Sequence, residues 1–203
     1  MNKLRRQAQQ ALLQGRVAFS ILAGGLSARM GRDKARLRLG PHSLLGLVRA
    51  SARKTGLPVR VIRRDLVARC GPLGGVYTAL KTSRADAELF LACDMPFVSV
   101  GLLARLLSGL GPRRDAVFSA FDGSASFPFL VRVRALPIVE KQIRGKRFSV
   151  QSLAWALRAK LIRLPRRDQA ELFNINTPGD WTSARKLYAE THYSGQKPGT
   201  RRL

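Results

Sequence analysis

The stretch from residue 19 to residue 34, FSILAGGLSARMGRDK, decides the fold. An apolar segment, Val17–Leu22, runs straight into Gly24 and Gly25, and the polar residues that follow include Arg29, Arg32 and Lys34. A strand ending in paired glycines places bare backbone N–H groups at its tip, where phosphate oxygens approach without a Cβ in the way. The cations downstream would neutralise those oxygens. The spacing is not that of a Walker A loop, because Gly25 to Gly31 is one residue too long and Gly31 is followed by Arg32 rather than Lys-Ser/Thr. Nor is it GxGxxG. Paired glycines alone also describe an ordinary βα turn, but Arg29, Met30, Gly31, Asp33 and Lys34 together argue for a nucleoside triphosphate.

Outward from this stretch, apolar runs alternate with helical patterns. Strands are expected at Val17–Leu22, Val59–Ile62, Leu89–Cys93, Ala116–Phe121, Phe127–Val133, Leu161–Leu164 and Phe173–Asn176, with a short extended piece and turn at Leu37–Pro41. Helices are expected at Leu44–Lys54 with Ser43 as cap, from Val76 to Lys81, and at Val100–Leu110, Leu136–Ile143 and Ser149–Lys160. Asp122-Gly123 reads as a turn between two of the strands. A final helix opens at Thr177-Pro178-x-Asp180, with N-cap, N1 proline and N3 acid in order. This alternation predicts an α/β fold: three layers, α/β/α, around a mostly parallel, Rossmann-like sheet.

The 203 residues suffice for one domain with a core, expected over 17–190 between basic segments at 1–16 and 191–203. No apolar run is long enough to span a bilayer and the N-terminus lacks an h-region, so neither a membrane nor a secretory route is expected. Two cysteines, Cys70 and Cys93, and two histidines are too few for a disulfide framework or a Cys/His metal site, and a cytoplasmic location follows. The net charge of +25 is extreme and is carried mostly by the body of the chain. Such a field attracts polyanions and phosphorylated substrates. The cations are scattered, however, and the few aromatic residues are not interleaved with them, which argues against nucleic acid as the primary partner.

Two further motifs follow predicted strands, where ligands of an open parallel sheet bind. Gly71-Pro72-Leu73-Gly74-Gly75 is either a tight turn or a surface on which a flat base packs against main chain. In Cys93-Asp94-Met95-Pro96-Phe97, Asp94 is either a helix cap or a strand-tip carboxylate suited to Mg2+, which takes one or two protein oxygens plus substrate phosphates. Asn174 and Asn176 stand before the last helix, serving either turn geometry or a ligand. Two histidines without a nucleophile motif make a Ser-His-Asp triad untenable.

Taken together, LAGG-x-S-x-RMG-x-DK, GPLGG, CDMPF and NINTP resemble, in order and spacing over roughly residues 17–190, the motifs of molybdenum cofactor guanylyltransferases, a nucleotidyltransferase family. Asp122-Gly123 and Pro128-Phe129-Leu130 resemble a weaker family block. The resemblance implies transfer of GMP from Mg2+-bound GTP to the terminal phosphate of molybdenum-molybdopterin, giving the guanine dinucleotide cofactor and pyrophosphate. In that reading Lys34, Arg29 and Asp94 are catalytic. Leu22, Ala23, Gly24, Gly25, Lys34, Asp65, Gly74 and Asp94 bind nucleotide, with Leu22 and Gly74 at the guanine. Asp94 holds Mg2+, and Asn174 and Asn176 face the pterin or its phosphate. Acidic apo-molybdoenzymes are the partners that the basic charge would suit.

The sequence departs from the family in one place. A further strand and helix usually lie between the first helix and GPL-x-G and carry an Asn. Here only Lys54–Arg69 is available, with the single strand VRVIRRD and Arg64 where the Asn is expected. The alternatives are a related nucleotidyltransferase using CTP or another phosphate acceptor, and a cofactor-delivery module without turnover.

Overall fold

The computed structural model describes residues 17–24 and 37–193. A six-stranded sheet forms the body of the fold. Its strands are β1 (Val17–Leu22), β4 (Val59–Ile62), β5 (Ala87–Ala92), β6 (Ala116–Phe121), β7 (Ser124–Arg132) and β8 (Lys160–Arg163). β1 pairs in parallel with β4 and β5, and β6 in parallel with β8, while β7 runs antiparallel to both β5 and β6. A two-stranded ribbon, β2 (Arg38–Leu39) and β3 (His42–Ser43), lies apart from it.

Two apolar layers sandwich the sheet. On one face, Leu45, Val48 and Ala52 of α1 (Leu44–Arg53) and Leu102, Leu103, Leu106 and Leu107 of α3 (Val100–Gly109) pack against Phe19, Ile21, Leu89, Leu91 and Val117. On the other, α2 (Pro72–Lys81), α4 (Leu136–Arg144) and α5 (Val150–Ala156) cover Phe90, Phe118 and Phe129. Phe129 stacks on Phe118 at 4.4 Å and tilts against Phe90 at 5.0 Å, so one aromatic row crosses three strands. A third cluster joins Leu39, Leu44 and Ile175 to Ala184 and Tyr188 of α6 (Pro178–Tyr193). The expected three-layer α/β/α architecture is therefore present. No helix among the described residues is long and apolar enough to cross a membrane.

The caps read from sequence hold. The Gly46 N–H donates to Ser43 Oγ at 3.0 Å, and the Asp180 N–H donates to Thr177 Oγ1 at 3.1 Å. Asp180 Oδ2 in turn accepts from the Asn176 and Thr177 N–H groups, closing a reciprocal cap.

Four expectations need correction. GPLGG is not a loop ahead of a helix beginning at Val76: Gly71, at φ 53°, is the N-cap, and Pro72 to Gly75 already form the first turn of α2. A proline at N1 costs no hydrogen bond and starts the helix early. β7 begins at Ser124, directly after the Asp122-Gly123 turn, rather than at Phe127. α5 stops at Ala156 instead of Lys160, because Arg158 takes a left-handed φ of 46° and Lys160 already belongs to β8. Residues 173–176 are not a strand. Ile175 gives its N–H to Asp94 O and buries its side chain in the third cluster, which secures the segment without a ladder.

One polar network lies inside the sandwich. Ser20 on β1 stands opposite Arg60 on β4, and Glu88 lies two residues off that row on β5, opposite Ala18. Fully buried Glu88 accepts from Ser20 Oγ (2.8 Å), Arg60 Nη2 (2.8 Å) and Ser83 Oγ (2.6 Å). Arg60 also donates to Ala79 O and Thr82 Oγ1, tying β4 to the last turn of α2.

Candidate functional site

The tips of β1, β4 and β5 are stitched together by backbone. Ala23 N–H donates to Ile62 O at 2.8 Å, and Cys93 N–H donates to Leu22 O at 3.1 Å. The chain thus leaves β1 at Gly24 wedged between its neighbours. A Cβ on Gly24 would lie 2.8 Å from the Arg63 carbonyl oxygen, a distance that ordinary side chains do not tolerate. Gly25, Arg29 and Lys34 lie outside the described residues.

The start of α2 forms the second wall. A Cβ on Gly74 would meet Asp65 Oδ2 at 2.7 Å and Val67 O at 3.0 Å, and one on Gly75 would meet the Leu22 side chain at 3.1 Å. Both glycines are therefore there for close approach: Asp65 drapes across the first helical turn and Leu22 leans on it. Thr78 holds the crossing segment by accepting from Leu66 N–H at 2.8 Å while donating to Gly74 O at 2.8 Å. Partial burial pushes the Asp65 carboxyl above its ordinary value.

Asp94 follows β5, half-buried, with its carbonyl accepting from Ile175 N–H at 3.0 Å. That bond brings the 173–176 segment to the tip of β5. Asn174 Oδ1 is buried there and has no hydrogen-bond partner, whereas Asn176 is exposed. Among the described residues no three His, Cys, Asp or Glu side chains cluster as a closed metal cage. One half-buried carboxylate at a strand tip fits a cation that takes most of its ligands from substrate and water.

The structure thus brings Leu22, Ala23, Gly24, Asp65 and Gly74 to one end of the sheet, with Asp94, Asn174 and Asn176 on the neighbouring strand tip. The sequence reading missed Val67 and Thr78, whose roles depend on a loop folding back over a helix start. It also missed the Ser20–Arg60–Glu88 network, although polar residues inside otherwise apolar strands were a signal for it. The shortened segment before GPLGG places β4 directly beside β1. Among the described residues no strand lies outside it.

The profile of the MobA-like NTP transferase domain matches residues 19–159. A probable molybdenum cofactor guanylyltransferase of Opitutus terrae is 31% identical over 195 residues, covering 85% of this chain and 96% of its own. Among solved structures, the molybdopterin-guanine dinucleotide biosynthesis protein A of Archaeoglobus fulgidus superposes with a TM-score of 0.66 at 21% identity, covering 85% of this chain and 99% of its own. The 2-C-methyl-D-erythritol 4-phosphate cytidylyltransferase of Thermus thermophilus shares the fold at a TM-score of 0.63 and 20% identity, covering 85% of this chain and 98% of its own. A glycine-ended parallel strand, a glycine-started helix and a strand-tip aspartate in one fold accord with these likenesses, and the chain belongs to the MobA-like NTP transferase family as a nucleotidyltransferase of molybdenum cofactor biosynthesis.

Proposed function

We propose that the protein transfers GMP from GTP to the terminal phosphate of molybdenum-molybdopterin, forming the guanine dinucleotide cofactor and pyrophosphate. The observation that carries this reading is the convergence of the three strand tips. Gly24 and the Gly74–Asp65 wall stand on one side, Asp94 and Asn174 on the other, with β1 and β5 joined between them. An oxygen of the acceptor phosphate attacks the α-phosphorus, the bond to the bridging β-phosphate oxygen breaks, and pyrophosphate leaves with that electron pair. No protein nucleophile is required, so positioning and charge neutralisation are the protein's work.

The backbone at Gly24 and Gly25 cradles phosphate oxygens, and Lys34 and Arg29 neutralise them. Leu22 and Gly74 offer guanine an apolar edge and bare main chain. Asp65, beside Gly74, accepts from the base or ribose. Asp94 would hold Mg2+, which when bound offsets charge on the α-phosphate and the leaving pyrophosphate. Asn174 and Asn176 address the pterin side. The catalytic unit is residues 17–190, flanked by the basic segments, and the site of action is the cytoplasm. The charge of +25 favours acidic apo-molybdoenzymes as recipients.

Because a cytidylyltransferase shares the fold, the test supplies both bases. The purified chain is incubated with molybdenum-molybdopterin, Mg2+ and equal GTP and CTP, and the dinucleotide is identified by mass. A guanine dinucleotide is the expected product. A cytosine dinucleotide overturns the base, and nucleotide binding without product leaves delivery without turnover.

A further inference from the structure

Beyond the glycines and carboxylates, the site end of the sheet carries a pair of cations that the reaction scheme does not use. β4 ends at Ile62, and the next two residues, Arg63 and Arg64, are both exposed. Their position is fixed from two sides. The Arg63 carbonyl abuts Gly24, and the residue after Arg64 is Asp65, whose carboxylate lies against Gly74. The arginine pair therefore bridges the two glycine walls, on the rim between the tip of β1 and the start of α2. Among the described residues no ion pair engages either guanidinium, whereas Arg60, Arg105, Arg134 and Arg167 all have carboxylate partners. The arginine nearest along β4 is thus committed to the fold, while these two face solvent beside the tip of β1.

We propose that Arg63 and Arg64 form a guanidinium clamp on the polyphosphate of the bound nucleotide and set its affinity. This rests on the nucleoside triphosphate reading above. Two adjacent planar guanidinium groups offer paired N–H donors that match phosphate oxygens. The backbone anchors at Gly24 and Gly74 hold them in place without use of their side chains. Pyrophosphate, as the leaving group, would be gripped by the same pair.

Titration calorimetry of the full chain with GTP and with GMP, each with Mg2+, tests the clamp. The variant is R63Q/R64Q, and the control is R113Q/R114Q, which removes equal charge just before β6, at the opposite end of the sheet. R63Q/R64Q is expected to weaken GTP binding on the order of 10- to 100-fold, as loss of charge-assisted hydrogen bonds does. GMP affinity should fall far less, and the control should match wild type. Thermal melts of both variants confirm that the fold is retained. An unchanged GTP affinity, or equal losses for GTP and GMP, overturns the clamp while leaving the nucleotidyltransferase reading intact. Wild-type protein that binds neither nucleotide overturns both.

Discussion

The two halves of the sheet are built on different terms. The β4–β1–β5 half is parallel, and its functional surface is mostly main chain: Gly24 against Arg63 O, and Gly74 against Asp65 and Val67 O. The β7–β6–β8 half mixes directions, and the segment it shares with Asp94 is irregular, held by one backbone bond from Ile175 and presenting Asn side chains. A wall of glycines and carbonyls tolerates almost no substitution, because any added atom collides. A wall of side chains on a loop can change its chemistry without disturbing the sheet. Under the proposed function the first wall faces the nucleotide and the second the acceptor.

Asp94 stands where the halves meet, so its loss should be felt most. Asp94→Asn keeps the shape and removes the charge, and turnover should drop on the order of 1,000-fold with melting unchanged. Residual activity near wild type would remove Asp94 from the chemistry. Next in size is the buried network under the parallel half. Glu88→Ala strands Arg60 and two hydroxyls, and should lower unfolding free energy by about 3 kcal/mol in urea titrations. Asp115→Ala breaks the exposed Arg134–Asp115 pair, whose side chains are 59% and 36% accessible, and should cost under about 1 kcal/mol. Equal losses would erase the distinction between the two halves.

A sharper separation comes from Gly24→Ala set beside Asn174→Ala. The first should raise the nucleotide KM about tenfold by forcing Arg63 away, and the second should raise only the acceptor KM. If both variants move the same KM, the halves do not divide the substrates. The smallest effect concerns Asp65. Its carboxyl sits above the ordinary value, so what it contributes to stability is present below about pH 3.9 and is lost as pH rises through the folded value. Asp65→Asn should therefore melt slightly higher than wild type at pH 7 while binding nucleotide less well, and the gap in melting should close as pH falls towards 4.

The same contrast decides what could be read from the residues. Strands such as Val17–Leu22 and Val59–Ile62 were legible to the residue, because each is a mostly apolar run with glycine or proline close to its ends. Asp94 and Gly24 were legible as strand-tip residues for the same reason. What failed had two sources. GPLGG enters the helix at Pro72, a proline at N1 that was a local sign, and its glycines then receive Asp65 and Leu22. Residues 173–176 stay irregular because one bond to Asp94 suffices, and local pattern carries no trace of that contact.

Both margins of the described sheet are four residues long, and each carries exposed cations at its ends: Arg63 just beyond β4, and Lys160 and Arg163 on β8. An open strand edge is a template for another chain's backbone. Here a second copy arriving edge to edge would bring cations against cations over too short a ladder to compensate. The surplus of positive charge thus acts as a colloidal safeguard: it keeps concentrated copies of the chain apart at low ionic strength, and added salt weakens that protection.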